Sequence, residues 1–210
     1  MHLSCNTKTL ETPMKRLLTF APLFALACND VNDPDPVEEN EVITTIVLTF
    51  TPTAGDALEF RWSDPENDGS PVIDDIALSD ADDYALTVAF LNELEEPAED
   101  LTAEIADEAE EHQVFFTGSA VAGPASDSDG AVITHAYADE DAGGLPVGLD
   151  NTITTDAVGE GTLFVTLRHL PEEGGAVVKV DGLAETVRDE GFGAIGGDND
   201  AQVEFPIAVE

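Results

Sequence analysis

The sequence predicts a mostly β protein, an antiparallel β-sandwich of Ig-like type with about seven strands and one inserted amphipathic helix. Three observations carry this expectation. Seven short runs of β-branched and aromatic residues recur between clusters of Gly, Pro and Asp. The runs do not alternate with helices in the βαβ manner that a parallel sheet requires. One stretch, and only one of any length, shows helical spacing of its apolar residues.

The strands are expected at Val42 to Thr51, Ala57 to Ser63, Tyr84 to Leu91, Gln113 to Thr117, Ala131 to Tyr137, Gly161 to Leu170 and Gln202 to Val209. Side chains alternate between the two faces of a strand, so within Thr162 to Leu170 the residues Leu163, Val165, Leu167 and His169 share one face, and Thr166 and Arg168 the other. The helix is expected over Pro97 to His112, where Leu101, Ile105 and Ala109 recur every fourth residue among acidic neighbours. Asp100 is its expected N-cap, and the carboxylates near its C-terminus oppose the helix dipole. Pro171 to Asp200 reads as a Gly-rich loop with at most one short helix, near Leu183 to Arg188. So long a loop inside a domain is usually functional or mobile.

A leader precedes this domain. From Met14 the chain has a basic start, an apolar run of 11 residues from Leu17 to Ala27, and small residues before Cys28. That run is far shorter than the ~20 residues a membrane-spanning helix needs. Residues 1–28 are therefore expected to be a lipoprotein signal with its true start at Met14. Ala25-Leu26-Ala27-Cys28 is similar to the lipobox of bacterial lipoproteins, in which the Cys takes a diacylglyceryl group and becomes the new N-terminus. Cys5 is then lost with the leader and Cys28 is committed to lipid, which excludes disulfides and thiolate chemistry from the domain. Residues 29–41, acidic and nearly without apolar side chains, are expected to be a disordered tether. Residues 42–210 form the single folded domain.

The formal net charge is −38. Removing Lys8, Lys15, Arg16 and Glu11 with the leader leaves 44 acidic residues against Arg61, Arg168, Lys179 and Arg188. Nucleic acid is excluded as a partner, since phosphate binding needs the opposite sign. Self-repulsion on this scale is relieved by salt, the pattern of a halophilic surface. The membrane, reached through the lipid anchor, is the one partner the leader itself predicts.

No Gly-x-Gly-x-x-Gly follows an expected strand, neither Gly-x-x-x-x-Gly-Lys nor the Gly-x-Ser-x-Gly nucleophile elbow occurs, and the domain is expected to be non-enzymatic. Two constellations remain. Asp64, Glu66, Asp68 and Asp75 stand at positions 1, 3, 5 and 12 of a calcium-like loop with Gly69 at its turn. Three histidines lie in or beside strands: by parity His112 goes with Val114 and Phe116, His135 with Ile133 and Tyr137, and His169 with Val165 and Leu167. If these are inner faces, three imidazoles converge, joined by Glu111 or Glu110, as a site for a divalent metal ion such as zinc or copper. The alternative is that each imidazole is separately hydrogen-bonded at a strand end.

Several segments together resemble a family of small lipoproteins from Bacteroidetes-like bacteria that carry the automatic label "type 1 periplasmic binding fold superfamily protein". They are Glu41 to Pro52, the Asp-rich loop Asp64 to Ser70, Leu91-Asn92-Glu93, Glu96 to Thr102, Glu108 to Phe116 and Leu167-Arg168-His169. His112 and His169 fall in motifs that recur in that family. The β-rich pattern is not that of a two-domain α/β binding protein, so the resemblance concerns relatives and not the fold in the label. It implies a lipid-anchored binding protein of the cell envelope, at the periplasmic or surface face of the outer membrane, accessory to a TonB-dependent uptake receptor. A metal-binding lipoprotein and a purely structural acidic surface protein are the alternatives.

Overall fold

The structure is a computed structural model that describes residues 41–210. The leader, Met14, Cys28 and residues 29–40 of the expected tether lie outside the described residues. The strands are β1 (Thr45–Pro52), β2 (Leu58–Ser63), β3 (Val72–Ile73), β4 (Ile76–Leu78), β5 (Asp83–Asn92), β6 (Glu99–Asp100), β7 (His112–Thr117), β8 (Val121–Gly123), β9 (Ser126–Asp127), β10 (Ile133–Tyr137), β11 (Asp150–Thr155), β12 (Gly159–His169) and β13 (Asp198–Val209). Two helices accompany them, α1 (Thr102–Asp107) and α2 (Leu183–Glu190).

Nine strands form one sheet in the order β3, β2, β1, β5, β11, β10, β8, β9, with β6 added on β5; the other four form a second sheet in the order β4, β13, β12, β7. All seven expected strands are present. The added strands include two parallel pairings, β10 with β8 and β13 with β4, in an otherwise antiparallel arrangement.

The sheets face each other across one core, as the alternation of apolar residues requires. Ile46, Leu48 and Phe50 of β1 and Leu86, Val88 and Phe90 of β5 meet Leu163, Val165 and Leu167 of β12 and Val203, Phe205 and Ile207 of β13. Each such side chain, taken out of water, contributes about 1.5–3 kcal/mol. Truncating fully buried Phe205 to Ala would cost about 3–5 kcal/mol. The four-stranded sheet is covered on its outer side too. There Phe115 packs with Leu183, Ala184 and Val187 of α2 and with Ile195.

Two expectations are corrected here. The helix expected over Pro97 to His112 is only α1, because both of its ends are claimed by strands. Asp100 pairs with Leu91 as an edge strand, leaving Leu101 at the N-cap position, and His112 already belongs to β7. The Asp100 carboxylate still accepts the Thr102 N–H at 3.0 Å. The Gly-rich segment 171–200 has the expected short helix, α2, but it also carries a 3₁₀ turn at Phe192–Ala194 and the start of β13, so it is not otherwise a plain loop.

Candidate metal centre

His112 opens β7 and His169 closes β12, and the two residues are directly opposite each other in the antiparallel ladder. Cβ atoms in such a pair lie ~5 Å apart on the same face. Both point inward with Val114, Phe116, Val165 and Leu167, as parity predicts, and their rings stack at 4.7 Å with 9° between planes.

Asp200 joins them through a break in strand register. Leu167 pairs with Ala201, but Arg168 pairs with Asn199, so Asp200 is the extra residue of a β-bulge. Bulges re-aim a side chain. Asn199 is turned to the outer side, where its Oδ1 accepts a hydrogen bond from Arg168 Nη1 at 2.7 Å. Asp200 instead has a fully buried side chain, with Oδ2 3.7 Å from His112 Nε2. Gly197 lets the chain make this approach: its φ is +73°, and a Cβ there would strike the His169 carbonyl oxygen.

The fourth member is Glu41, which places Oε1 3.4 Å from His112 Nε2. Assigning residue 41 to a solvated tether is thereby corrected, since its side chain is only 11% exposed. One ligand atom each from His112, His169 and Asp200 lie within 4.8 Å of one another, as do those of Glu41, Glu108 and His112. A tetrahedral ion with ligands ~2 Å away would hold its donors about 3.3 Å apart, and His112 is the residue the two sets share.

A hydrogen bond orients the His112 ring. The Glu108 carbonyl oxygen lies 3.2 Å from His112 Nδ1, which assigns the ring proton to Nδ1 and leaves Nε2 as the donor atom for a metal. His112 Nε2, Glu41 Oε2 and both carboxylate oxygens of Asp200 are buried without a hydrogen-bond partner. Burial, with the Glu41 charge second, pushes the Asp200 carboxyl up to about 6, against the pull of both imidazoles. Burial alone would lower the His112 imidazole, but Glu41 and Asp200 outweigh it and hold it above its ordinary value. Glu41 is the reverse case: burial would raise it, and the imidazoles keep it low.

The remaining candidates are placed elsewhere. Glu111 is close, with Oε2 3.8 Å from His169 Nε2, yet its side chain is 39% exposed and it stands outside the converging sets. It lines a cleft of about 190 Å³ together with Glu110, Leu170, Glu172, Val177 and Val178. His135 is inward, as expected, but does not join the others. Its ring packs on Phe116 at 4.3 Å, four residues along β7 from His112, a run of ~13 Å. It is the separately bonded case, with Nε2 2.9 Å from Asn151 Oδ1. The calcium-like loop does not assemble either. Asp64 accepts the N–H groups of Asp68 at 3.1 Å and Gly69 at 2.8 Å, capping its own turn. Asp68 likewise accepts the Ser70 N–H at 3.0 Å, and Asp64, Glu66, Asp68 and Asp75 form no converging set among the described residues.

Sequence reasoning missed Asp200 and Glu41. Asp198-x-Asp200 is visible as an acidic pair, but only the bulge makes one of its members face inward.

No protein-family model matches the chain, and no curated protein or solved structure is significantly similar to it. The fold and the cluster define a two-sheet β protein with a buried centre of two imidazoles and two carboxylates.

Proposed function

We propose that this domain binds one divalent transition-metal ion, zinc in the first instance, through His112, His169, Asp200 and Glu41. The observation that carries the reading is Asp200: both of its oxygens are buried without a partner, beside the unpartnered Nε2 of His112. Leaving one buried polar group unpaired costs about 1–3 kcal/mol, and more when it is charged. A dication removes that cost for His112, Asp200 and Glu41 at once. Two nitrogen and two carboxylate donors suit zinc, whereas calcium takes six to eight oxygens. Four protein donors also fill a tetrahedral shell, the arrangement of a held ion and not of a catalytic one.

The setting we propose is the one the leader predicts. The domain would hang from a lipid on Cys28 at the outer membrane and serve as an envelope binding protein, accessory to an uptake receptor. The acidic surface supports this by raising the local concentration of cations.

The test is metal analysis of the protein isolated from cells, followed by zinc titration calorimetry in ~1 M NaCl to suppress loose surface binding. One tightly held ion per chain, lost in Asp200→Ala and His112→Ala, is the expected result. A protein that carries no metal, and whose melting temperature does not move with zinc or copper, overturns the reading.

A further inference from the structure

We infer that the ion held by this cluster also fastens the N-terminal arm of the domain to the four-stranded sheet, with Glu41 as the arm's ligand. The inference rests on the metal-binding reading and adds a regulated connection to it.

The four donors are not equivalent. His112, His169 and Asp200 belong to β7, β12 and β13, adjacent strands of one sheet whose pairing fixes where their side chains point. Glu41 belongs to no strand. It precedes β1 of the other sheet, and the arm's attachment there begins at Thr44, whose N–H donates to the Leu91 carbonyl at 2.9 Å. Beside Glu41, Val42 is 45% exposed. The carboxylate of Glu41 therefore bridges from the arm to the opposite sheet, with Oε1 near His112 and Oε2 buried and unpartnered.

Without an ion the bridge is the Glu41–His112 contact at 3.4 Å, and it is opposed by the Asp200 carboxylate, which crowds the same imidazole and repels Glu41. With a dication between them the repulsion becomes joint ligation, so arm docking and metal affinity must strengthen each other by the same factor. Releasing residues 41–43 would lengthen the connection to whatever holds the chain's N-terminal end by roughly 10 Å, at ~3.5 Å per extended residue. Metal occupancy would thus set how closely the domain is held. Glu41 is the residue that converts the three-ligand set of one sheet into a closed shell that includes the arm.

The test is hydrogen exchange of residues 41–46 in the full secreted chain, with and without zinc, in wild type and Glu41→Gln. In wild type, zinc should slow exchange of that segment by on the order of tenfold or more. In Glu41→Gln, zinc should still bind through His112, His169 and Asp200, on the order of 10–100-fold more weakly, and leave the segment's exchange unchanged. Exchange of Leu163 to Leu167 reports that the variant remains folded. Zinc binding that leaves residues 41–46 unprotected in wild type, or an unaltered affinity in Glu41→Gln, overturns the arm inference alone. Absence of zinc binding by the wild type overturns it together with the metal reading.

Discussion

Lys179 Nζ lies 2.7 Å from Asp141 Oδ2 with both side chains almost completely buried, and the same ammonium donates to the Ala109 carbonyl at 2.6 Å. In a domain with so few cations, this one is spent inside. Asp141 is held further by the N–H groups of Gly143 and Leu145, so three segments meet at one ion pair. Removing only one partner strands the other charge. Lys179→Met is expected to destabilise the protein by about 3–5 kcal/mol in urea unfolding, and Lys179→Met with Asp141→Leu to recover much of that. Equal losses in the single and double variants would show that the pair is not coupled.

His135 gives the protein a stability change in mild acid. Burial pushes its imidazole down to about 4, against an ordinary 6.5, despite the hydrogen bond to Asn151. Between these values the unfolded chain binds the proton and the folded one does not, so stability rises with pH in that window. The contribution is complete above the unfolded value and is lost as pH falls toward the folded one, about 3 kcal/mol in all. His135→Gln keeps an N–H donor toward Asn151 and cannot titrate. The difference in unfolding free energy between variant and wild type, followed from pH 7 to ~4, should show that slope; parallel curves would refute it.

Without metal, Asp200 is a liability. Asp200→Asn is expected to stabilise the metal-free protein by about 1–3 kcal/mol, because a buried charge with two unpartnered oxygens is neutralised. The same substitution should lower zinc affinity, so that saturating zinc raises the melting temperature of wild type but not of the variant. At a hundredfold excess over Kd the wild-type gain is about 2.7 kcal/mol. A variant less stable than wild type in chelator would count against this account of the buried carboxylate.

Gly197 tests the geometry from the backbone side. A φ of +73° disfavours any L residue, and an added Cβ meets the His169 carbonyl, which cannot move without displacing β12. Gly197→Ala should cost at least about 1–3 kcal/mol and weaken zinc binding, although position 197 is no ligand. Unchanged affinity would mean that His169 tolerates the shift.

The surface charge makes its own prediction. Raising ionic strength from 0.1 to 1 M shortens the screening length from about 10 to 3 Å, so unfolding free energy should climb over that range. Choline chloride should act as well as NaCl if screening is the cause. A gain seen with NaCl alone would indicate specific sodium sites instead.

Much of the fold was legible because strand parity is a local property. The sequence of β12 names which residues share a face down to His169, and the same parity put His112 and His135 on the faces that the fold turns inward. β11 was not legible, because Asn151, Ile153 and Thr155 are its buried residues and two of the three are polar. α1 came out short because edge pairing by Glu99 and Asp100 outcompetes helix formation, a tertiary contact that local propensity does not record. The site was half visible. Parity gives the face of a histidine but not its height along the strand, which is why His135 could not be separated from the pair. Composition marked Glu41 as tether, and spacing favoured an Asp-rich loop whose leading carboxylate caps its own turn.

The bulge at Asp200 means that this ligand is created by counting and not by chemistry. One residue fewer between Asp198 and Ala201 would leave composition, charge and core almost untouched, yet would restore the ladder and turn the carboxylate to the outside. Gain or loss of the centre is then a single-codon insertion or deletion.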